Sequence, residues 1–148
     1  MFFSMPHRDA ARATAAEREL MKLDPWSFRV MPGDGVGCDR LVLGTTGAFA
    51  VVFAGDGVPT GRVPGRRRAK KAARRLRSHL GSLGARVETI GIVCPRTDSV
   101  FAPRNVRGVK VIPPALLARE ISGRSRAAMP HQIKRAADEL ARSIDRFR

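Results

Sequence analysis

Apolar positions recur along the chain in two rhythms, one of helices and one of strands. From Asp9 to Leu23, Ala13, Ala16, Leu20 and Leu23 return at three- and four-residue steps, which predicts an amphipathic helix. Asp24-Pro25 ends it, because the residue before proline avoids the α region. Trp26, Phe28 and Val30 then alternate with polar neighbours, predicting a strand over Trp26 to Met31 that stops at the turn Pro32-Gly33-Asp34-Gly35. Two apolar runs follow, Cys38 to Leu43 and Ala48 to Phe53, joined by Gly44-Thr45-Thr46-Gly47 as a β-hairpin. Gly55 to Gly65, with Pro59 and Pro64, predicts a loop.

The clearest helix runs from Arg66 to Leu83. Ala69, Ala72, Ala73, Leu76, Leu80 and Leu83 share one face, and Gly84 stops it. Arg86 to Cys94 is a predicted strand closed by Pro95, and Val109 to Ile112 a short one. Pro114 opens a helix reaching about Ile121. Gly123 to Ala128 is a predicted loop, and Pro130 begins a last helix with Ile133, Ala137, Leu140, Ile144 and Phe147 along one face. A strand after a helix implies a crossover onto a covered sheet, and the hairpin makes that sheet mixed. The expected architecture is one α/β domain over residues 1–148: a mixed sheet of about five strands flanked by helices in two or three layers. Its core spans about 9–121, and the C-terminal helix about 130–147.

Charge adds what periodicity does not. The 148 residues hold 28 basic and 13 acidic side chains, a net charge of +15 that attracts polyanions. Heavy use of Ala, Arg and Gly, with no Tyr, marks a compositional bias that scatters arginine over neutral surface sites. Scattered arginines therefore carry no weight, whereas a dense cluster does. Between Asp56 and Glu88 there is no acid, but there are ten basic residues: Arg62, Arg66, Arg67, Arg68, Lys70, Lys71, Arg74, Arg75, Arg77 and Arg86. A solvated charged face usually mixes signs, and this one does not. Arginine forks suit phosphate. Aromatics are 5% of the chain and absent from this stretch, which disfavours base stacking and favours backbone contact without sequence readout.

No apolar stretch approaches the roughly 20 residues that span a bilayer, and Met1-Phe2-Phe3-Ser4-Met5 is too short for a secretory signal. Cys38 and Cys94 form no CxxC pair and are expected as reduced, buried hydrophobes facing each other across the sheet, in a cytoplasmic setting. His7, His79 and His131 lack metal-ligand spacing, and no GxSxG nucleophile motif occurs. Gly33-Asp34-Gly35-Val36-Gly37 precedes a strand, not a helix, so it is a turn rather than a phosphate loop.

The element order, with Ala15-Ala16-Glu17 in the first helix, Cys38-Asp39-Arg40-Leu41-Val42-Leu43-Gly44 and Gly47-Ala48-Phe49-Ala50-Val51-Val52 in the hairpin, resembles the nuclease-related domain of the PD-(D/E)xK superfamily. Val93-Cys94-Pro95 and Arg107-Gly108-Val109-Lys110-Val111-Ile112 also fit, so the resemblance covers roughly residues 10–121. It implies a restriction-endonuclease-like core and a Mg²⁺ site of carboxylates with a lysine that steadies the attacking water. Glu17 and Asp39 stand at two family positions, and their carboxylates are expected near each other. The acid and lysine of the third strand are replaced by Val52 and Ala54, with Phe53 between. Asp56 lies four residues beyond Val52, with no lysine suitably placed after it. The implied site is therefore vestigial, with no cofactor.

Three functions remain open on the sequence. The first is a nucleic-acid-binding domain of nuclease-like descent without catalysis, held through Arg66, Arg67, Arg68, Lys70, Lys71, Arg74, Arg75 and Arg77. The second is an active metal-dependent nuclease with a rearranged Glu17, Asp39 and Asp56 site, which alone would need Mg²⁺. The third is a basic protein- or membrane-interaction module, with the apolar face of the C-terminal helix as a protein-docking surface.

Overall fold

The computed structural model describes residues 14–54, 63–84, 87–96 and 102–145. Residues 9–13 of the expected first helix, the 55–62 loop with Asp56, and Phe147 lie outside the described residues.

Helix α1 covers Ala15–Leu20, with the Thr14 hydroxyl accepting from the Glu17 amide as its cap. It stops short of Leu23, because the chain tightens there: the Lys22 and Leu23 amides turn back to Glu19 and Leu20. The Asp24 carboxylate then takes the Trp26 amide and the Ser27 hydroxyl, a local turn that no helix or strand can continue. Trp26 consequently sits outside the strand with 79% of its surface exposed. Strand β1 begins at Phe28 and runs to Pro32.

Strands β2 (Arg40–Gly44) and β3 (Gly47–Phe53) form the predicted hairpin, with Thr45-Thr46 at its tip. Gly47 adopts φ 145°, a value that L side chains rarely reach, so its glycine is required. Helix α2 covers Arg66–Ser82 and returns the chain to β4 (Thr89–Cys94), parallel to β3. Strands β5 (Arg104–Val106) and β6 (Val109–Val111) make a second hairpin, of which only β6 is foreshadowed by the apolar pattern. A 3₁₀ turn at Pro114–Leu116 leads into α3 (Leu117–Ser122), and α4 covers Pro130–Asp145.

The sheet is mixed and six-stranded rather than five, in the order β1-β2-β3-β4-β6-β5, with β3, β4 and β6 parallel. It is the middle layer of three. On one face Leu41, Leu43, Ala48, Ala50, Val52 and Val93 pack beneath α2 and α4. On the other, Val42, Phe49, Val51 and Ile92 pack beneath α1 and α3. Side chains alternate between faces along a strand, so β3, apolar at nearly every position, is buried on both sides.

Close approach fixes where α2 sits. A Cβ at Gly91 would lie 2.8 Å from the Ala69 carbonyl oxygen, so only glycine allows the helix to rest directly on β4. The apolar stripe of α4, Ile133, Ala137, Leu140 and Ile144, is buried in the α2-side cluster, against β1, β2 and α2. This corrects the expectation of a protein-docking face there. That apolar surface is already removed from water within the domain. The expectation that Cys38 and Cys94 face each other is also corrected: both are buried and outside any disulfide, on opposite faces of the sheet.

Candidate nucleic-acid interface

Ala69, Ala72, Leu76 and Leu80 of α2 are buried, and the eight basic residues lie on its other faces. Arg67, Lys71 and Arg74, spaced four and three apart, form a crest opposite the buried stripe. Arg66, Lys70 and Arg77 line one flank, and Arg68 and Arg75 the other. Arg66 and Lys70 are half-buried; the other six are exposed.

Among the described residues, Asp39 is the one acid that pairs with a cation of this helix. The first turn of α2 has no acid, and its N-cap, Gly65 at φ 85°, offers no side-chain acceptor. Three arginines at a helix N-terminus oppose the helix dipole. Among the described residues, the salt bridges join Lys22 to Glu19, Arg40 to Glu17, Arg68 to Asp39, Arg124 to Glu88 and Arg135 to Glu139. Arg66, Arg67, Lys70, Lys71, Arg74, Arg75 and Arg77 therefore have no described acidic partner.

Arg68 differs from its neighbours. Its Nε donates to the Gly37 carbonyl at 2.9 Å and its Nη2 to Asp39 Oδ1 at 3.2 Å. Asp39 in turn extends the β2–β3 ladder with its side chain: Oδ2 accepts from the Phe53 amide at 2.8 Å. On the other side, Arg40 donates to the Asp39 carbonyl at 2.8 Å and to Glu17 Oε2 at 3.3 Å. Arg40 lies between Glu17 and Asp39 at the start of β2, but the two carboxylates sit on opposite sides of the sheet, Glu17 with α1 and Asp39 with α2, which corrects the expectation that they lie near each other. Each carboxylate is held by its own arginine, Glu17 in the α1 layer and Asp39 from the α2 layer.

Val52 and Ala54 are core residues beneath α2, and the Val52 methyl lies 2.9 Å from where a Gly65 Cβ would be. A carboxylate and an ammonium at those positions would be buried among apolar groups. Among the described residues, no group of three or more His, Cys, Asp or Glu side chains is placed to hold a metal ion. A cavity of about 240 Å³ opens at the carboxyl ends of β3 and β4, where open α/β sheets commonly take ligands. Its described walls include Phe53, Ala54, Cys94 and Pro95, and their one charged group is Arg96. Burial pushes the Cys38 thiol up to about 11, with the neighbouring Asp39 charge adding to the effect. A thiol so protonated is a poor nucleophile at neutral pH.

The β5–β6 hairpin adds a residue that the apolar pattern does not single out. Arg104 pairs with Val111 across the ladder, and Val111 shares its side of β6 with Val109 of the α2-side core. Exposed Arg104 therefore stands on the α2 face of the sheet. No helix among the described residues is long and apolar enough to cross a membrane. No family model matches the chain, and neither the curated proteins nor the solved structures provide a match.

Proposed function

We propose that this chain is a cytoplasmic nucleic-acid-binding domain that grips phosphates without cutting them. One observation carries the reading: the solvent face of α2 presents seven cations with no described acidic partner, on a helix held rigidly against β3 and β4. Like charges within one or two helical turns repel, and a row of phosphates supplies the missing counter-charge. The Asp39 carboxylate supports the absence of cleavage, since the Phe53 amide and Arg68 occupy the oxygens that a metal would use.

The test is a titration of labelled duplex DNA and structured RNA across a range of salt. Replacing Arg67, Lys71 and Arg74 together by Gln leaves the buried stripe intact, so folding survives. At about 0.9 per lost phosphate contact on duplex DNA, the slope of log affinity against log salt should flatten by roughly 2.7. Affinity should fall alike for all sequences. Equal slope and affinity for parent and variant would mean that charge spread over the whole surface does the binding. Cleavage in Mg²⁺ or Mn²⁺ that Asp39→Ala abolishes would overturn the non-catalytic reading.

A further inference from the structure

We infer that the phosphate-binding surface continues beyond α2 onto the edge strand β5 through Arg104, and that its ligand is a duplex rather than a single strand. The inference rests on the nucleic-acid reading and assigns that surface its second element and substrate class.

Three observations locate Arg104. Arg68 reaches Gly37 and Asp39 on the β2 side, so the opposite flank of α2, with Arg66, Lys70 and Arg77, leans toward β6 and β5. Arg104 pairs with Val111, and Val111 with Val93. A Cβ at Gly65 would lie 4.0 Å from a Val93 methyl, which sets Arg104 level with the N-terminal turn of α2, beside Arg66 and Lys70. The cations therefore stand at two heights: Arg67, Lys71 and Arg74 in a row on the helix crest, and Arg104 alone on the sheet floor. Strand β5 lies two strand spacings outside β4, an offset of roughly 10 Å.

That offset decides the ligand. A single strand has one row of phosphates, and proteins that bind it add aromatic platforms for the bases. A duplex has two rows separated by a groove, the major groove being about 12 Å wide. The described α2, β5 and β6 carry no aromatic residue. The exposed Trp26 adjoins β1, at the opposite edge of the sheet. The other neighbour of α2 does not extend the surface: α4 mixes Lys134, Arg135 and Arg142 with Asp138 and Glu139 on its outer side. Among the described residues, the positive track thus runs from α2 toward β5.

The experiment compares Arg104→Gln with Arg29→Gln, an exposed arginine on the opposite edge strand β1. Both variants remove one charge from an exposed strand position, and circular dichroism checks their folds. Each is titrated, beside the parent, with a labelled 20-base-pair duplex and with its single strand. The expected result is tighter parent binding to the duplex, a salt slope lower by about one for Arg104→Gln, and an unchanged slope for Arg29→Gln. Equal slopes for the two variants, or parent affinity for the single strand at least equal to that for the duplex, would overturn this inference and leave the α2 reading standing. A parent that binds neither probe would overturn both.

Discussion

Gly91 is the sharpest test of how α2 is seated. In Gly91→Ala the added methyl would meet the Ala69 carbonyl oxygen at 2.8 Å and its carbon at 3.1 Å. Both belong to the helix backbone and cannot rotate away, so helix and strand must separate. Overpacking of this kind costs about 1–3 kcal/mol. Removing a strand glycine returns roughly 0.5–1 kcal/mol of chain entropy. The net loss is about 1–2 kcal/mol, a fall in Tm of about 3–6 °C for a chain of this size. Gly81→Ala is the matched control: it lies within α2, and its new methyl meets nothing within 4 Å. There the entropy and helix-propensity gains stand alone, and Tm should rise by about 2 °C. Thermal melts of the two variants beside the parent read both signs. A Gly91→Ala protein as stable as the parent would refute the contact of α2 with β4, and with it the placement of the basic crest.

Two further outcomes follow from the β2 entrance. Asp39→Ala strands the Phe53 amide and should cost about 1–3 kcal/mol in urea denaturation, whereas Asp39→Asn keeps an acceptor oxygen and loses only a part-exposed ion pair, about 0–1 kcal/mol. Both release Arg68 and should tighten duplex binding; unchanged binding by Asp39→Asn would show that Arg68 does not face the ligand. Folding holds the Cys38 thiol at about 11 against an ordinary 9.0, so the stability tied to its protonation is complete below pH 9 and is lost as pH rises through 11. Folded protein should therefore leave Cys38 unmodified by Ellman's reagent at pH 8 and react only on unfolding. Prompt modification of Cys38 in the native state would contradict that burial.

Strong periodicity was readable where packing and pattern coincide. Ala69, Ala72, Leu76 and Leu80 of α2, and Ile133, Ala137, Leu140 and Ile144 of α4, are buried as their spacing predicts. Helix α1 ends early because the Asp24 side chain outcompetes an apolar rhythm that still includes buried Leu23. Strand β5 escapes the pattern because Arg104-Asn105-Val106 contains one apolar residue. A signal did exist: Arg107-Gly108 between two valines is a two-residue hairpin turn, and both residues take positive φ, 49° and 84°. The eight cations of α2 were legible as a cluster. The withdrawal of Arg68 to Asp39 was not, because its partner is 29 residues away and meets it only through the sheet.

The two edges of that sheet have a consequence for assembly. Exposed strand edges invite pairing with another chain, and a polyanion that screens a net charge of +15 removes the repulsion that keeps copies apart. Here both edges are poor templates. Strand β5 is three residues long and exposes Arg104 and Asn105. Strand β1 exposes Arg29 and ends at Pro32, which has no amide to offer. On the proposed function, copies crowded along one nucleic acid would therefore meet through edges ill-suited to join, and would not seed aggregation through their own strands.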